Sequence, residues 1–164
     1  DRDVPLGIEF IKRGYPVLVV RTFSKFYGLA GLRLGYGLGR KEIIQELEKV
    51  RQPFNVNLLA VKAGLSVLTD FEYQEKTREL VLSGRRFLTE ALSELGFKVY
   101  PSEANFIMVD FGERVDKIYE ALLSEGIFVR PLKAYGFPTS LRITIGIKEA
   151  NVKLIEVIKR TTPG

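Results

Sequence analysis

The stretch Val17-Leu18-Val19-Val20-Arg21-Thr22-Phe23-Ser24-Lys25-Phe26-Tyr27-Gly28-Leu29-Ala30-Gly31-Leu32-Arg33-Leu34-Gly35-Tyr36 decides how the first part of the chain is read. Its opening run, Val17–Val20, is continuous, aliphatic and mostly β-branched, and it follows Pro16. Such a run predicts a strand buried on both faces, as in a parallel sheet. Residues 22–33 hold Gly28 and Gly31 and predict a loop. Leu34–Leu38 predicts a second short strand. In open parallel sheets, ligands bind outside the carboxyl ends of the strands. The loop therefore lies where chemistry is expected. Thr22 and Ser24 offer hydroxyl donors, and Arg33 offers a planar fork for a phosphate. Gly28 and Gly31 let backbone approach a ligand closely. Lys25 stands among these groups. As a neutral amine it can attack an aldehyde and form a Schiff base.

Composition narrows the chemistry. The 164 residues include no cysteine, histidine or tryptophan. A thiol nucleophile, a disulfide, a zinc site with His or Cys ligands and a triad with a His base are all excluded. Hydrophobic residues make up 46% and charged residues 27%, which fits a folded globular chain rather than a disordered one. The net charge of +5 and pI near 9.4 admit anionic partners of several kinds. The cations are dispersed, however, so no polybasic tail is read. No run of 18 apolar residues occurs, and no membrane span is expected. No signal peptide is visible, and a cytoplasmic address is expected. The chain opens with Asp1, as a processed product or a piece of a longer chain would.

The remaining pattern predicts a helix end at residues 6–13, closed by Gly14. Lys41–Val50 has apolar residues at helical spacing, and Gln52–Asn55 breaks it. Leu58–Leu68 is an apolar helix containing Ala60, Ala63 and Gly64. Asp70 is an N-cap for a long helix that ends at Leu95 and Gly96. Phe97–Tyr100 and Asn105–Phe111 predict strands, Arg114–Ser124 a helix closed by Gly126, Ile127–Arg130 and Leu141–Ile145 strands, and Glu149–Arg160 a helix. This ββαββα order describes a compact α+β lobe. Along Leu141–Ile145, strand alternation puts Arg142 on one face with Thr144, opposite the apolar Leu141, Ile143 and Ile145.

The string Arg21–Tyr36 resembles the lysine segment of fold-type I pyridoxal-phosphate enzymes, and within them the histidinol-phosphate aminotransferase family. That family's pattern, R-T-[FL]-S-K-x-[FY]-G-L-A-G-L-R-[IL]-G-Y, is matched at every position. The resemblance implies an α/β fold. The C-terminal part of the large cofactor-binding domain, a mostly parallel sheet with helices, would fill residues 1–80. A small α+β C-terminal domain would fill residues 81–164, joined to it by the long helix. Lys25 then looks like the lysine that holds pyridoxal 5'-phosphate, and Thr22, Ser24 and Arg33 like binders of its phosphate. Leu141-Arg142-Ile143-Thr144-Ile145-Gly146 is similar to the family's L-R-I-T-[VI]-G strand. That makes Arg142 the partner of the substrate α-carboxylate. Gly126–Leu132 is similar to the G-[IV]-x-[VI]-R strand, which gives Arg130 the substrate's distal phosphate. Pro53–Asn57 resembles P-[YF]-N-[VL]-[NS], with Asn55 read as a turn residue outside the site. Glu103–Phe106 resembles a small-domain motif and is read as architectural. No metal is implied.

The resemblance covers essentially the whole chain but only the second half of the family. The glycine-rich phosphate turn of the first half is absent from this sequence. So is the aspartate that keeps the pyridine nitrogen protonated. The implied function is transamination of histidinol phosphate with 2-oxoglutarate and glutamate, in histidine biosynthesis. The implied assembly is a homodimer acting on small molecules, with this chain inactive by itself. A threonine-phosphate decarboxylase or an aromatic aminotransferase is the alternative within the class. A non-enzymatic alternative is a small-ligand or RNA-binding module built on residues 97–160. An RNA-binding sheet needs stacking aromatics on one face, and Phe106 and Phe111 fall on opposite faces by parity.

Overall fold

A computed structural model describes residues 6–162. The chain divides into two compact units, Asp1–Glu75 and Lys76–Gly164. The sequence reading places that division at 80/81.

In the first unit, helix α1 (Gly7–Lys12) is followed by Gly14 at φ +83°, a left-handed conformation that suits glycine. Strand β1 (Leu18–Thr22) pairs with β2 (Gly35–Gly39), in a register running from Leu18↔Gly39 to Thr22↔Gly35. The pairing is antiparallel. This corrects the expected parallel sheet among the described residues. The connection from Phe23 to Leu34 folds straight back on itself, whereas parallel neighbours need a crossover. The expected two-sided burial is corrected as well, since Leu18 is 40% and Val20 66% exposed. A two-stranded ribbon has two open edges and little cover. An apolar run reports an affinity for cover, not the direction of its neighbour.

Helix α2 spans Lys41–Val50 and α3 spans Leu58–Thr69. Asn57 caps α3, its Oδ1 accepting the Ala60 N–H at 2.8 Å. Ala60 and Gly64 are buried. A Cβ on Gly64 would stand 2.5 Å from Leu34 Cδ2 and 3.8 Å from Phe23 Cε1. The small residues of α3 therefore let the lysine-bearing segment lie directly against the helix. Helix α4 (Phe71–Glu94) starts where Asp70 Oδ1 accepts the Tyr73 N–H at 3.0 Å, and it runs on through the second unit.

The second unit adds β3 (Lys98–Tyr100), β4 (Phe106–Asp110), α5 (Val115–Ser124), β5 (Arg130–Pro131), β6 (Ser140–Thr144) and α6 (Lys148–Thr161). Its sheet is antiparallel throughout, in the order β3-β4-β6-β5. Ile107 and Val109 of β4 and Leu141 and Ile143 of β6 are buried with Leu88 and Leu92 of α4, Ile118 and Leu122 of α5, and Leu154, Ile155 and Ile158 of α6. Burying each such side chain stabilises the fold by about 1.5–3 kcal/mol. The even-numbered residues Phe106, Met108, Arg142 and Thr144 lie on the opposite, less covered face. Strand β5 is shorter than the expected Ile127–Arg130. Ile127 and Val129 pack against the core without pairing in the sheet, and Phe128 is 83% exposed. Beyond Arg142, the Ile145 N–H already donates to the Asn105 carbonyl at 2.9 Å, on the β4 side.

Candidate functional site

The predicted site residues fall into two groups, one in each unit. In the first, the ribbon carries Lys25 at its open end. The Phe23 N–H donates to the Leu34 carbonyl at 3.0 Å, which continues the β1–β2 pairing by one residue. Beyond that pair the ladder ends, with the Ser24 N–H turned to Thr22 Oγ1 and Arg33 in the left-handed region. The chain then turns. The Gly28 N–H donates to the Lys25 carbonyl at 2.9 Å, and the Leu29 N–H to the Phe23 carbonyl at 3.0 Å. Gly28 has φ +69°, and a Cβ there would stand 2.5 Å from the Tyr73 hydroxyl oxygen. Glycine is thus required on two separate grounds. Phe23 is 5% exposed and packs against the rings of Tyr27 and Tyr36, at 5.0 and 5.9 Å between centroids. Lys25, between the buried Phe23 and the turn, is exposed.

The hydroxyl and guanidinium groups are partly committed. Thr22 Oγ1 accepts the Ser24 N–H at 3.0 Å, leaving the threonine proton to donate. Arg33 follows a 3₁₀ turn, Ala30–Leu32, and sits at φ 56°, ψ 43°, a left-handed conformation that residues other than glycine uncommonly adopt. One of its terminal nitrogens donates to the Ala30 carbonyl at 2.8 Å. A guanidinium has five donors, so most of this one is left for a ligand. Backbone strain of this kind collects at functional sites. The sequence offered no sign of it at Arg33.

The second group is a cavity of about 330 Å³, lined by Phe128, Val129, Arg130, Pro131, Arg142 and Thr144. Arg130 and Arg142 are register partners on β5 and β6, so the two predicted arginines meet. Among the described residues, no carboxylate lines this cavity. Arg142 is half-buried, its Nε fully covered and without a hydrogen-bond partner among the described residues. Its guanidinium carbon lies 5.1 Å from the Phe106 ring centroid. Arg130 donates to the Tyr135 hydroxyl at 2.9 Å, and its guanidinium carbon lies 5.6 Å from that ring. Two guanidinium groups thus face one cavity with no carboxylate among the described residues, a donor set whose chemistry suits an anion.

Sequence reasoning missed Phe106, Tyr73 and Tyr135. Phe106 was read as architecture, yet it supports Arg142 from the neighbouring strand. Its signal was parity: on β4 and β6, the even-numbered residues share a face. Asn55, left outside the site, accepts a long contact from Arg51 at 3.4 Å. Among the described residues, no cluster of three acidic side chains could hold a metal ion, and no helix is long and apolar enough to cross a membrane.

Comparison with known proteins identifies the family. The chain is 49% identical over 152 residues to the histidinol-phosphate aminotransferase of Anaeromyxobacter, covering 92% of this chain and 42% of that protein. The crystal structure of the histidinol-phosphate aminotransferase from Clostridium acetobutylicum superposes with a TM-score of 0.84 at 27% identity, over 94% of this chain and 48% of that one. The Sinorhizobium meliloti enzyme, solved in complex with pyridoxal-5'-phosphate, gives 0.76 at 30%, over 89% and 42%. The chain spans less than half the length of the curated relatives it matches. The aminotransferase class I and II pattern covers residues 2–158, nearly the full sequence, and the chain belongs to that family.

Proposed function

We propose that the protein to which this chain belongs is a pyridoxal-phosphate-dependent aminotransferase acting on histidinol phosphate, with 2-oxoglutarate and glutamate as the second pair, in histidine biosynthesis. One observation carries the reading. A single turn at the end of the β1–β2 ribbon carries the exposed Lys25 together with Thr22, Ser24 and Arg33, with Thr22 Oγ1 held by the Ser24 N–H and Arg33 held by the Ala30 carbonyl. That donor set suits a phosphorylated aldehyde: an amine for the carbonyl carbon, two hydroxyls and a guanidinium for the phosphate. When bound, the cofactor supplies an electron sink for charge developing at the substrate α-carbon. Lys25 holds the cofactor, and as general base and acid it moves the proton at that carbon. Arg142 pairs with the α-carboxylate when glutamate or 2-oxoglutarate is bound, and Arg130 takes the phosphate of histidinol phosphate. Curated relatives 41–49% identical to this chain carry the histidinol-phosphate name, which supports this substrate.

The remaining half of the enzyme and a homodimer partner would cover the first unit. Leu58, Leu59 and Leu65 of α3 are 65–72% exposed, and Phe54 is 99% exposed. Apolar surface of this extent marks a face that meets protein. The proposed setting is cytoplasmic, with small molecules as substrates and neither nucleic acid nor membrane as partner. The test is covalent labelling. Pyridoxal 5'-phosphate is added to the chain, the adduct is fixed with borohydride, and the labelled peptide is identified by mass spectrometry. The label is expected on Lys25, with loss of the accompanying visible absorbance in Lys25→Ala. Labelling spread evenly over surface lysines, unchanged in Lys25→Ala, would refute the assignment. In the intact enzyme, release of a keto acid rather than carbon dioxide separates transamination from decarboxylation.

A further inference from the structure

We infer that Tyr135 is a positioning residue for Arg130, fixing its guanidinium at the edge of the anion cavity before any ligand arrives. The inference rests on the proposal that Arg130 binds a substrate anion. Arg130 lies on a two-residue strand at the edge of the sheet and is exposed. A long cationic side chain in that setting samples many rotamers, and ordering it on binding opposes affinity. Arg142, 117 residues from Lys25, is restrained by its partial burial and by the Phe106 ring beneath its guanidinium. Arg130 has no such burial and carries instead a double contact with one aromatic residue. Its Nη2 donates to the Tyr135 hydroxyl at 2.9 Å, and the guanidinium carbon is 5.6 Å from the same ring.

The tyrosine is itself fixed. It ends a 3₁₀ turn, Lys133–Tyr135, closed by Gly136 at φ +85°. The Tyr135 and Phe137 N–H groups both donate to the Leu132 carbonyl, at 2.9 and 3.2 Å. The Leu132 N–H in turn donates to the Ser140 carbonyl at 3.0 Å, tying the turn to the start of β6. The loop between β5 and β6 thus returns an aromatic hydroxyl to the arginine at its own beginning. Tyr135 does not line the cavity, so its effect passes through Arg130. The like charge of Arg142 across the strand pair pushes Arg130 outward. The tyrosine opposes that displacement without neutralising the charge an anion needs.

The test is NMR of the arginine side-chain N–H groups of the 164-residue chain, titrated with inorganic phosphate. In the wild type, the Arg130 Nε signal is expected to be sharp and to shift with phosphate. Tyr135→Phe keeps the ring and removes the hydroxyl. It should broaden the Arg130 signal and weaken phosphate binding roughly threefold to fivefold, the scale of one ordinary net hydrogen bond, because Arg130 is exposed and water replaces part of the lost contact. Tyr135→Leu should weaken it further, with the thermal midpoint unchanged in both variants. If Arg130→Ala abolishes the phosphate response while Tyr135→Phe leaves affinity and line width unaltered, this inference is overturned and the anion site stands. If phosphate moves no Arg130 signal in the wild type, the anion site and the inference fall together.

Discussion

Replacing Asn151 with alanine should unfasten the join between β6 and α6. Asn151 is 4% exposed, one of two buried polar residues in the chain's described part. Its Oδ1 accepts the Gly146 N–H at 3.0 Å, and its Nδ2 donates to the Gly146 carbonyl at 3.0 Å. One side chain therefore satisfies both backbone groups of the residue where the chain leaves the sheet. Gly84 of α4 packs against the same amide, since a Cβ there would come within 2.8 Å of Asn151 Nδ2. Two hydrogen bonds at about 1 kcal/mol net each set the floor of the loss. A backbone group left unpaired adds about 1–3 kcal/mol when water cannot reach it. Gly146 is half-buried, so water recovers part of that. The expected cost of Asn151→Ala is therefore about 2–4 kcal/mol. For a unit of this size, that lowers the thermal midpoint by roughly 10–20 °C. Asn151→Asp sharpens the test. It keeps an acceptor for the Gly146 N–H but sets a second carboxylate oxygen against the Gly146 carbonyl. It should cost nearly as much at neutral pH and recover part of the loss in acid, where the carboxyl can donate. Urea unfolding followed by far-UV circular dichroism measures both, and hydrogen exchange at Gly146 localises the effect. If both variants stay within about 0.5 kcal/mol of the wild type, a range typical of surface changes, the clasp does not fasten the join.

Three further outcomes are expected. Gly28→Ala should loosen the lysine turn by roughly 1–2 kcal/mol, the cost of a left-handed non-glycine residue. Tryptic cleavage after Lys25 should quicken, and part of the effect should vanish in a Tyr73→Ala background, where the Cβ no longer meets the phenol. The carboxyl of Asp110 is held below the usual range, first by the Gly112 N–H, then by Thr139 and the charge of Lys98, with burial opposing. Its contribution to stability is present above the unfolded value of about 3.9 and lost as pH falls through the lower folded value. Asp110→Asn should flatten the acid limb of a stability–pH curve, and an unaltered limb would remove Asp110 from it. Finally, the 164-residue chain alone should catalyse no transamination with saturating cofactor. Lysine-dependent turnover in a coupled glutamate assay would mean that a complete site assembles from this half.

Legibility in the sequence followed the range of the interaction. The helix over Lys41–Val50 has the bounds its spacing predicts, and Asp70 and Gly96 mark the ends of α4 as their chemistry dictates. Those signals are complete within a few residues. The odd apolar set of β6 was equally plain, because alternation needs only one buried face. Direction of pairing was not plain. Val17–Val20 says that a strand wants cover, and nothing in it says whether the neighbour runs with it or against it. The apolar run Ile127–Val129 misled for a related reason: residues can be buried beside a sheet without joining its ladder.

The same distinction explains which parts of the candidate site could be read. Thr22, Ser24, Lys25, Gly28 and Arg33 lie within twelve residues, on one turn whose closing hydrogen bonds are all local. Their types and spacing could therefore single out the turn, though not the left-handed backbone at Arg33 or the antiparallel pairing that supports it. The arginine cavity is different. That Arg130 faces Arg142 depends on the register of β5 on β6, and that Phe106 lies under Arg142 depends on β4 pairing with the same strand. Neither register is written in any short string. Yet these contacts decide whether two like charges can share about 330 Å³ and wait for an anion. Each guanidinium rests on an aromatic face, which supports a cation without cancelling it. A carboxylate in either place would neutralise the proposed anion site. The aromatic partners are therefore part of the proposed binding chemistry. They belong with the arginines whenever specificity is altered by substitution in this lobe.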